Sequence, residues 1–153
     1  MTSTSRRQAR IIALQTLYEL DTTQHLPDDV LERNLDEPVS DNQNGPAPVD
    51  AKVREYGSAL VQGVLTNRDE LDALIEECAP SWPLDQMSRI DKNILRLAIF
   101  EILFDNRVPL KAAINEAVEL GKRFGSDSSS RFINGVLGTV AANEQAKGRK
   151  LRK

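Results

Sequence analysis

The stretch IDKNILRLAIFEILFD, residues 90–105, is apolar on nearly every side of the helix that its spacing predicts. Its apolar members are Ile90, Ile94, Leu95, Leu97, Ala98, Ile99, Ile102, Leu103 and Phe104. A helix that is hydrophobic all round is usually the buried centre of a larger bundle. We therefore expect this segment to be the central helix of an all-α fold, with the other helices packed around it.

Composition supports a helical domain of ordinary size. The chain has 153 residues, of which 40% are hydrophobic and only 5% aromatic. This length suits one compact domain, and this apolar content can form a core without disulfides or metals. Most apolar residues are Leu, Ile, Val and Ala, set among Glu, Lys, Arg and Gln, which favours helices over strands. The sequence predicts a single domain over residues 1–153.

Two helices are expected after the central segment. LKAAINEAVELGKRF, residues 110–124, follows Val108-Pro109 and keeps one apolar face. Gly125 is placed to end this helix in a left-handed conformation. The next residues, SDSSS, offer N-cap oxygens for a last helix, which carries apolar residues at helical spacing from Phe132 onward.

Further helices are expected before the central segment. The first covers residues 7–21 and a short second one covers residues 28–35. Residues 36–49 contain three prolines and a glycine, which predicts a flexible loop. Asp50 and Asn67 are placed as N-caps of two more helices. The pattern contains no convincing strand.

Several function classes are excluded by what the sequence lacks. The single cysteine, Cys78, and the single histidine, His25, form neither a disulfide nor a zinc ligand set. No phosphate-binding glycine motif or paired-histidine motif is present. The chain also lacks a run of about 18 apolar residues and a secretory signal. We therefore expect a cytoplasmic protein without a cofactor, a metal or a membrane segment, and not an enzyme.

Charge is distributed unevenly along the chain. Residues 1–18 carry three basic groups and no acid, and the tail 145–153 carries five basic groups and no acid. The remainder holds twelve basic groups against all 23 acids, a balance of −11. This segregation indicates an anionic partner at one surface and a basic partner at another.

Three arginines lie in the first turn and a half of the first predicted helix, where the helix dipole is already positive. Arg6, Arg7 and Arg10 can project from one side of the helix, and guanidinium groups suit bidentate recognition of phosphate. Three solvated arginines near a frayed end are the alternative. The conflict with the dipole favours a phosphate-binding role.

A second basic cluster surrounds the predicted Gly/Ser loop. Lys122, Arg123 and Arg131 lie beside Phe124 and Phe132. Basic groups contact phosphates and aromatic rings stack on unpaired bases. Packing of the two phenylalanines in the core is the alternative. Together the two clusters indicate binding to single-stranded RNA.

Three segments of the chain resemble the NusB family of transcription antitermination factors. They are RRQARIIALQTLYELD, IDKNILRLAIFEILF and VPLKAAINEAVELGKRFGSDSSSRFINGVLG, residues 6–21, 90–104 and 108–138. The resemblance implies an all-helical fold of about seven helices in two packed sub-bundles. It also implies that the protein does not catalyse a reaction. The loop 36–49 and the basic tail lie outside it.

The resemblance further implies partners and contact residues. The family pairs with the ribosomal protein NusE, binds the boxA element of ribosomal RNA leaders, and joins RNA polymerase and other Nus factors in an antitermination complex. By position, RNA contacts are implied for Arg6, Arg7, Arg10, Lys122, Phe124, Arg131 and Phe132. Contacts with NusE are implied for Asp85 and Asp91, with Tyr18 close to that surface.

Two other functions are compatible with the sequence. A NusB-like domain also precedes the catalytic domain of some ribosomal RNA cytosine methyltransferases, so the chain could be a related RNA-binding domain. A homodimeric protein-interaction module that hides the arginines until a partner arrives is the second alternative.

Overall fold

Seven α-helices form the described part of the chain. A computed structural model describes residues 2–36, 49–105 and 107–152, and for Ser3 only the backbone. The helices are α1 Ser3–Thr22, α2 Pro27–Asp36, α3 Ala51–Thr66, α4 Arg68–Cys78, α5 Arg89–Phe100, α6 Leu110–Phe124 and α7 Ser129–Ala146. A 3₁₀ turn covers Leu84–Gln86 and a π-helix covers Glu101–Asp105. No strand occurs among these residues, which confirms the all-α prediction. Most of the predicted loop 36–49 lies outside the described residues.

The chain divides into two compact units, Met1–Gly63 and Val64–Lys153, with the boundary inside α3. The first unit holds α1, α2 and most of α3. The second holds α4 to α7. Two helical units agree with the implied sub-bundles, while the organisation as one domain stays a prediction.

In the first unit, α1 begins earlier than the sequence indicated. Thr2 is the N-cap, and its hydroxyl oxygen accepts a hydrogen bond from the Ser5 backbone N–H at 3.0 Å. Arg6 is consequently the fourth residue of the helix, at the end of its first turn, and Arg7 and Arg10 lie beyond that turn. The unfavourable interaction of these arginines with the helix dipole is therefore smaller than the sequence predicted, because the dipole acts mainly within the first turn.

Buried polar side chains join α1 to α2 within this unit. The Thr16 hydroxyl donates to the Ile12 carbonyl oxygen at 2.8 Å and accepts from Asn34 Nδ2 at 3.0 Å. Both side chains lie in the core beside apolar residues of α2, and their hydrogen bonds offset the cost of burying them. The predicted N-cap of α3 is confirmed, since Asp50 Oδ1 accepts from the Val53 N–H at 2.8 Å.

In the second unit, α5 is the central helix, as predicted. Residues 93–100 are all buried, and α5 contacts α4, α6 and α7. Ser88 caps its start by accepting a hydrogen bond from the Asp91 N–H at 3.0 Å. At its end, α5 continues directly into the π-helix, which the sequence did not indicate. Asn67 is the N-cap residue of α4, as predicted, but its side chain makes no capping hydrogen bond.

The turn between α6 and α7 differs from its prediction. Gly125 is extended, with φ −94° and ψ −164°, and not left-handed. Glycine is required there for space, since a Cβ would lie 2.6 Å from Ser129 Cβ and 2.8 Å from the Gly121 oxygen. Ser128 makes no side-chain cap, whereas Ser129 Oγ accepts from the Ser126 N–H at 2.9 Å. The turn is therefore closed by a serine hydroxyl, but this serine is Ser129, the first residue of α7, and not the N-cap residue Ser128.

The basic tail folds back onto the second unit. Gly148, with φ +92°, reverses the chain after α7 in the left-handed region that glycine tolerates. The Arg149 guanidinium then donates to the Leu103 carbonyl oxygen at 3.1 Å and pairs with Glu144 at 3.2 Å. It also lies 6.0 Å from the centre of the Phe104 ring. Arg149 is thus a structural contact of the π-helix.

Candidate nucleic-acid interface

The three N-terminal arginines differ in exposure. Arg7 is exposed, Arg6 is half-buried and Arg10 is only 4% exposed. Arg10 is enclosed because α1 is apolar on several sides, with Ala9 and Ile11 buried next to it. The structure therefore does not form the predicted exposed patch of three guanidinium groups. The Nε atom of Arg6 is buried and has no hydrogen-bond partner among the described residues.

The end of α6 presents cationic and aromatic groups together. The Arg123 guanidinium carbon lies 5.2 Å from the centre of the Phe124 ring, within the range of a cation–π contact. Phe124 is half-buried, so its ring belongs partly to the core and partly to the surface. Lys122 is exposed and pairs with Glu119 at 3.2 Å, a surface ion pair of small energetic value. The partial burial of Phe124 agrees with the packing alternative, and its role in RNA binding stays a prediction.

The start of α7 meets the α4–α5 connection at an aromatic pair. Phe132 is half-buried and its ring centre lies 6.2 Å from that of Trp82, with the rings tilted by 52°. Arg131 is exposed beside them. The three side chains border a groove of about 370 Å³ that also includes Gly135 and Thr139. Arg131 and Phe132, which are consecutive in the sequence, thus both border this groove.

Two residues of these surfaces were missed or left unassigned by sequence reasoning. Trp82 was not singled out from the sequence, although a lone tryptophan between prolines is an available signal of an exposed aromatic. Arg123 was placed in the basic cluster as a phosphate-contacting group but was not among the RNA contacts implied by the resemblance, and its position over Phe124 depends on side-chain packing that spacing does not reveal.

The two acidic residues for which the resemblance implies contacts with NusE lie in different surroundings. Asp85 is exposed in the 3₁₀ turn and borders a cavity of about 630 Å³ together with Asp72 and Glu76. Asp91 lies in the first turn of α5, and its Oδ1 is buried with no hydrogen-bond partner among the described residues. Tyr18 is 40% exposed on α1.

No cluster of three or more metal-binding side chains occurs within the described ranges. None of the helices in those ranges has both the length and the apolar character needed to cross a bilayer.

Comparison with known proteins assigns the chain to a family. The family model for NusB matches residues 7–142. The chain belongs to the NusB family. The transcription antitermination protein NusB of Chloroflexus aggregans is 52% identical over 141 residues, covering 90% of this chain and 87% of that protein. The resemblance drawn from the three sequence segments is therefore confirmed.

Solved NusB structures share the fold. NusB of T. maritima superposes with a TM-score of 0.77 at 30% identity, covering 90% of both chains. A crystal structure of the antitermination factors NusB and NusE in complex with double-stranded RNA gives a TM-score of 0.79 at 22% identity, covering 93% of this chain and 99% of that chain.

Proposed function

We propose that this NusB-family protein is a non-catalytic, RNA-binding transcription antitermination factor. The observation that carries the proposal is the group of cationic and aromatic side chains at the α6–α7 turn. Arg123 lies over Phe124 on one side, and Arg131 lies beside Phe132 on the other. Such groups contact phosphates and stack on unpaired bases. Arg7 adds an exposed cation on α1.

In finer detail, the proposal assigns the protein to ribosomal RNA transcription in the cytoplasm. It pairs with NusE, binds boxA RNA in single-stranded form and acts with RNA polymerase and other Nus factors. A NusB of the same fold has been crystallised with NusE and double-stranded RNA, which supports NusE and RNA as partners, while the single-stranded form is proposed from the exposed aromatic and basic groups. The exposed carboxylate of Asp85 and the exposed Tyr18 suit a basic protein partner.

The first test is fluorescence anisotropy of a labelled boxA-type RNA titrated with the protein, with and without NusE, at several salt concentrations. We expect affinity to rise with NusE and to fall with salt, with a logarithmic slope of about −0.7 for each phosphate contact on a single strand. A double-stranded RNA of the same sequence is titrated in parallel, and it should bind more weakly.

Charge-reversal variants separate the proposed surface from general electrostatics. Arg7→Glu and Arg131→Glu should each weaken RNA binding about tenfold without changing the melting temperature, since both side chains are exposed. Lys111→Glu is the matched control, because Lys111 is exposed at the opposite end of α6. Equal losses in all three variants would indicate nonspecific attraction, and no loss in any of them would refute the assigned surface.

The NusE surface is tested by Asp85→Lys in a pull-down with purified NusE. The variant should lose NusE but bind RNA alone as the wild type does. Unchanged NusE binding would remove Asp85 from that interface.

A further inference from the structure

We propose that the groove between Trp82 and the start of α7 holds one unpaired nucleobase of the bound RNA, stacked on the Trp82 indole. This inference rests on the proposed RNA-binding function and extends it to a residue outside the cluster described above. It makes Trp82 a binding residue and Arg131 the cation that contacts the adjoining phosphate.

Trp82 is held in an exposed position by the local backbone. Its N–H donates to the Ala79 carbonyl oxygen at 3.1 Å, and the following 3₁₀ turn is closed by a hydrogen bond from Gln86 N–H to Pro83 oxygen at 3.0 Å. The residue is nevertheless 54% exposed. Leaving more than half of so large an apolar side chain in water forfeits part of the burial energy that full packing would give. The contact with Phe132 therefore covers the indole only in part.

The ring geometry leaves room for a stacked base. Phe132 approaches Trp82 at 6.2 Å with a tilt of 52°, so the two rings are not stacked face to face. Phe132 therefore supports the indole without covering both of its faces. The volume of about 370 Å³ is at the lower end of the range for small-molecule pockets. The α7 side of the groove is open at Gly135, where a Cβ would meet nothing within 4 Å.

Charge distinguishes this groove from its neighbour. Among the described residues that border it, Arg131 is the only charged one, so a phosphate meets attraction without repulsion. The neighbouring 630 Å³ cavity, which Trp82 also borders, is lined by three acidic residues and by three basic ones, Arg68, Lys92 and Arg96, so a phosphate there meets repulsion as well as attraction. A nucleotide is therefore favoured on the α7 side of the indole, where the single cation favours an anionic ligand over a neutral or basic one.

The test uses the fact that Trp82 is the only tryptophan of the chain. Tryptophan emission, excited selectively over tyrosine, is followed during a titration with boxA-type RNA while anisotropy of labelled RNA is measured under the same conditions. We expect emission to be quenched with the same midpoint as the anisotropy change. Acrylamide should quench the complex less effectively than the free protein, because a stacked base shields the ring.

Variants measure the contribution of stacking. Trp82→Ala should bind RNA about fivefold to a hundredfold more weakly, as expected for the loss of one base–aromatic stack, and Trp82→Phe should recover most of the affinity. Leu26→Ala is the matched control, since Leu26 is also a large apolar residue and is 67% exposed. Circular dichroism of each variant verifies folding, and the emission experiment on the wild type is independent of any variant.

The outcomes separate this inference from the proposed function. RNA binding with unchanged Trp82 emission and unchanged acrylamide access would overturn the base site while leaving RNA binding intact. Absence of RNA binding at every salt concentration would overturn both. Quenching by NusE alone, with no further change on addition of RNA, would assign the groove to a protein partner and overturn the inference.

Discussion

Arg96 and Asp72 form a bidentate ion pair between α5 and α4. Arg96 Nε lies 2.7 Å from Asp72 Oδ1, and Arg96 Nη2 lies 2.9 Å from Oδ2. Arg96 is 3% exposed and Asp72 20%, so the pair is largely shielded from water. Asn93 completes the arrangement by accepting from Arg96 Nη1 at 3.1 Å. This network fixes two helices of the second unit, and it leaves the guanidinium no role at the surface.

Removing the charge of Asp72 should therefore destabilise the fold. Asp72→Asn keeps the shape of the side chain but removes the carboxylate charge that pairs with Arg96. We expect a loss of about 2 kcal/mol, which lowers the Tm of a chain of this length by roughly 4 to 8 °C. Urea unfolding followed by circular dichroism measures the loss. Glu32→Gln is the control, since it removes one carboxylate from the exposed pair with Arg54 and should change the midpoint little.

The docked tail predicts a difference between two neighbouring basic residues. Arg149→Ala removes the hydrogen bond to Leu103 and should lower the free energy of unfolding by about 1 kcal/mol. Lys150→Ala removes the same charge from an exposed position and should leave stability unchanged. The tail is further held by the Arg152 carbonyl oxygen, which accepts from the Leu110 N–H at 2.6 Å. Equal stability of the two variants would contradict the docked position.

Ionisation of the Cys78 thiol makes the free energy of unfolding depend on pH in the alkaline range. Burial raises the pKa of the Cys78 thiol above its ordinary value and the charge of Glu77 adds to this, although the hydrogen bond from Asn143 acts in the opposite direction. Because the folded state favours the protonated thiol, its contribution is complete below the unfolded pKa of about 8.5 and is lost as the pH rises above it.

The measurement for Cys78 compares the wild type with Cys78→Ala. The difference between their free energies of unfolding should shrink between pH 7 and pH 10, because the alanine variant has no thiol to ionise. A difference that stays constant over this range would show that the thiol titrates equally in the folded and unfolded states.

Two glycines should respond to alanine in opposite directions. Gly138 lies within α7 in open surroundings, so Gly138→Ala should stabilise the protein by about 0.5 to 1 kcal/mol. At Gly125 the added methyl meets Ser129, and Gly125→Ala should cost about 1 to 3 kcal/mol. Thermal unfolding of both variants tests this contrast. A lower melting temperature for Gly138→Ala as well would contradict the open surroundings of Gly138.

The helices could be predicted because their signals are local. The apolar spacing of residues 90–105 identified the central helix, and the oxygen of Asp50 identified the start of α3. The sequence did not indicate the π-helix or the extended Gly125. The space at Gly125 is limited by Gly121 and Ser129, four residues away on either side, and residue type alone does not reveal this packing. The position of the tail depends on the carbonyl oxygen of Leu103, which is distant from Arg149 in the sequence.

The sequence predicted the residue types of the candidate surface more accurately than the exposure of those residues. Basic and aromatic residues around the α6–α7 turn were identified from composition and spacing, and Arg131 and Phe132 both border the groove. Exposure depends on tertiary neighbours, so the burial of Arg10 was not foreseen. The position of Trp82 beside Phe132 joins residues fifty positions apart, which no local pattern encodes. The roles in RNA and NusE binding stay predictions.

The closed turn between α6 and α7 has a consequence for the kinetics of recognition. Ser129 Oγ lies 3.3 Å from Ser126 Oγ in addition to accepting the Ser126 N–H, so the link between the two helices is folded in the free protein. A ligand that binds across this link does not have to order it, and no conformational entropy is lost there on association. The association rate is then set by diffusion and charge. Differences in affinity between RNA sequences should therefore appear in the dissociation rate.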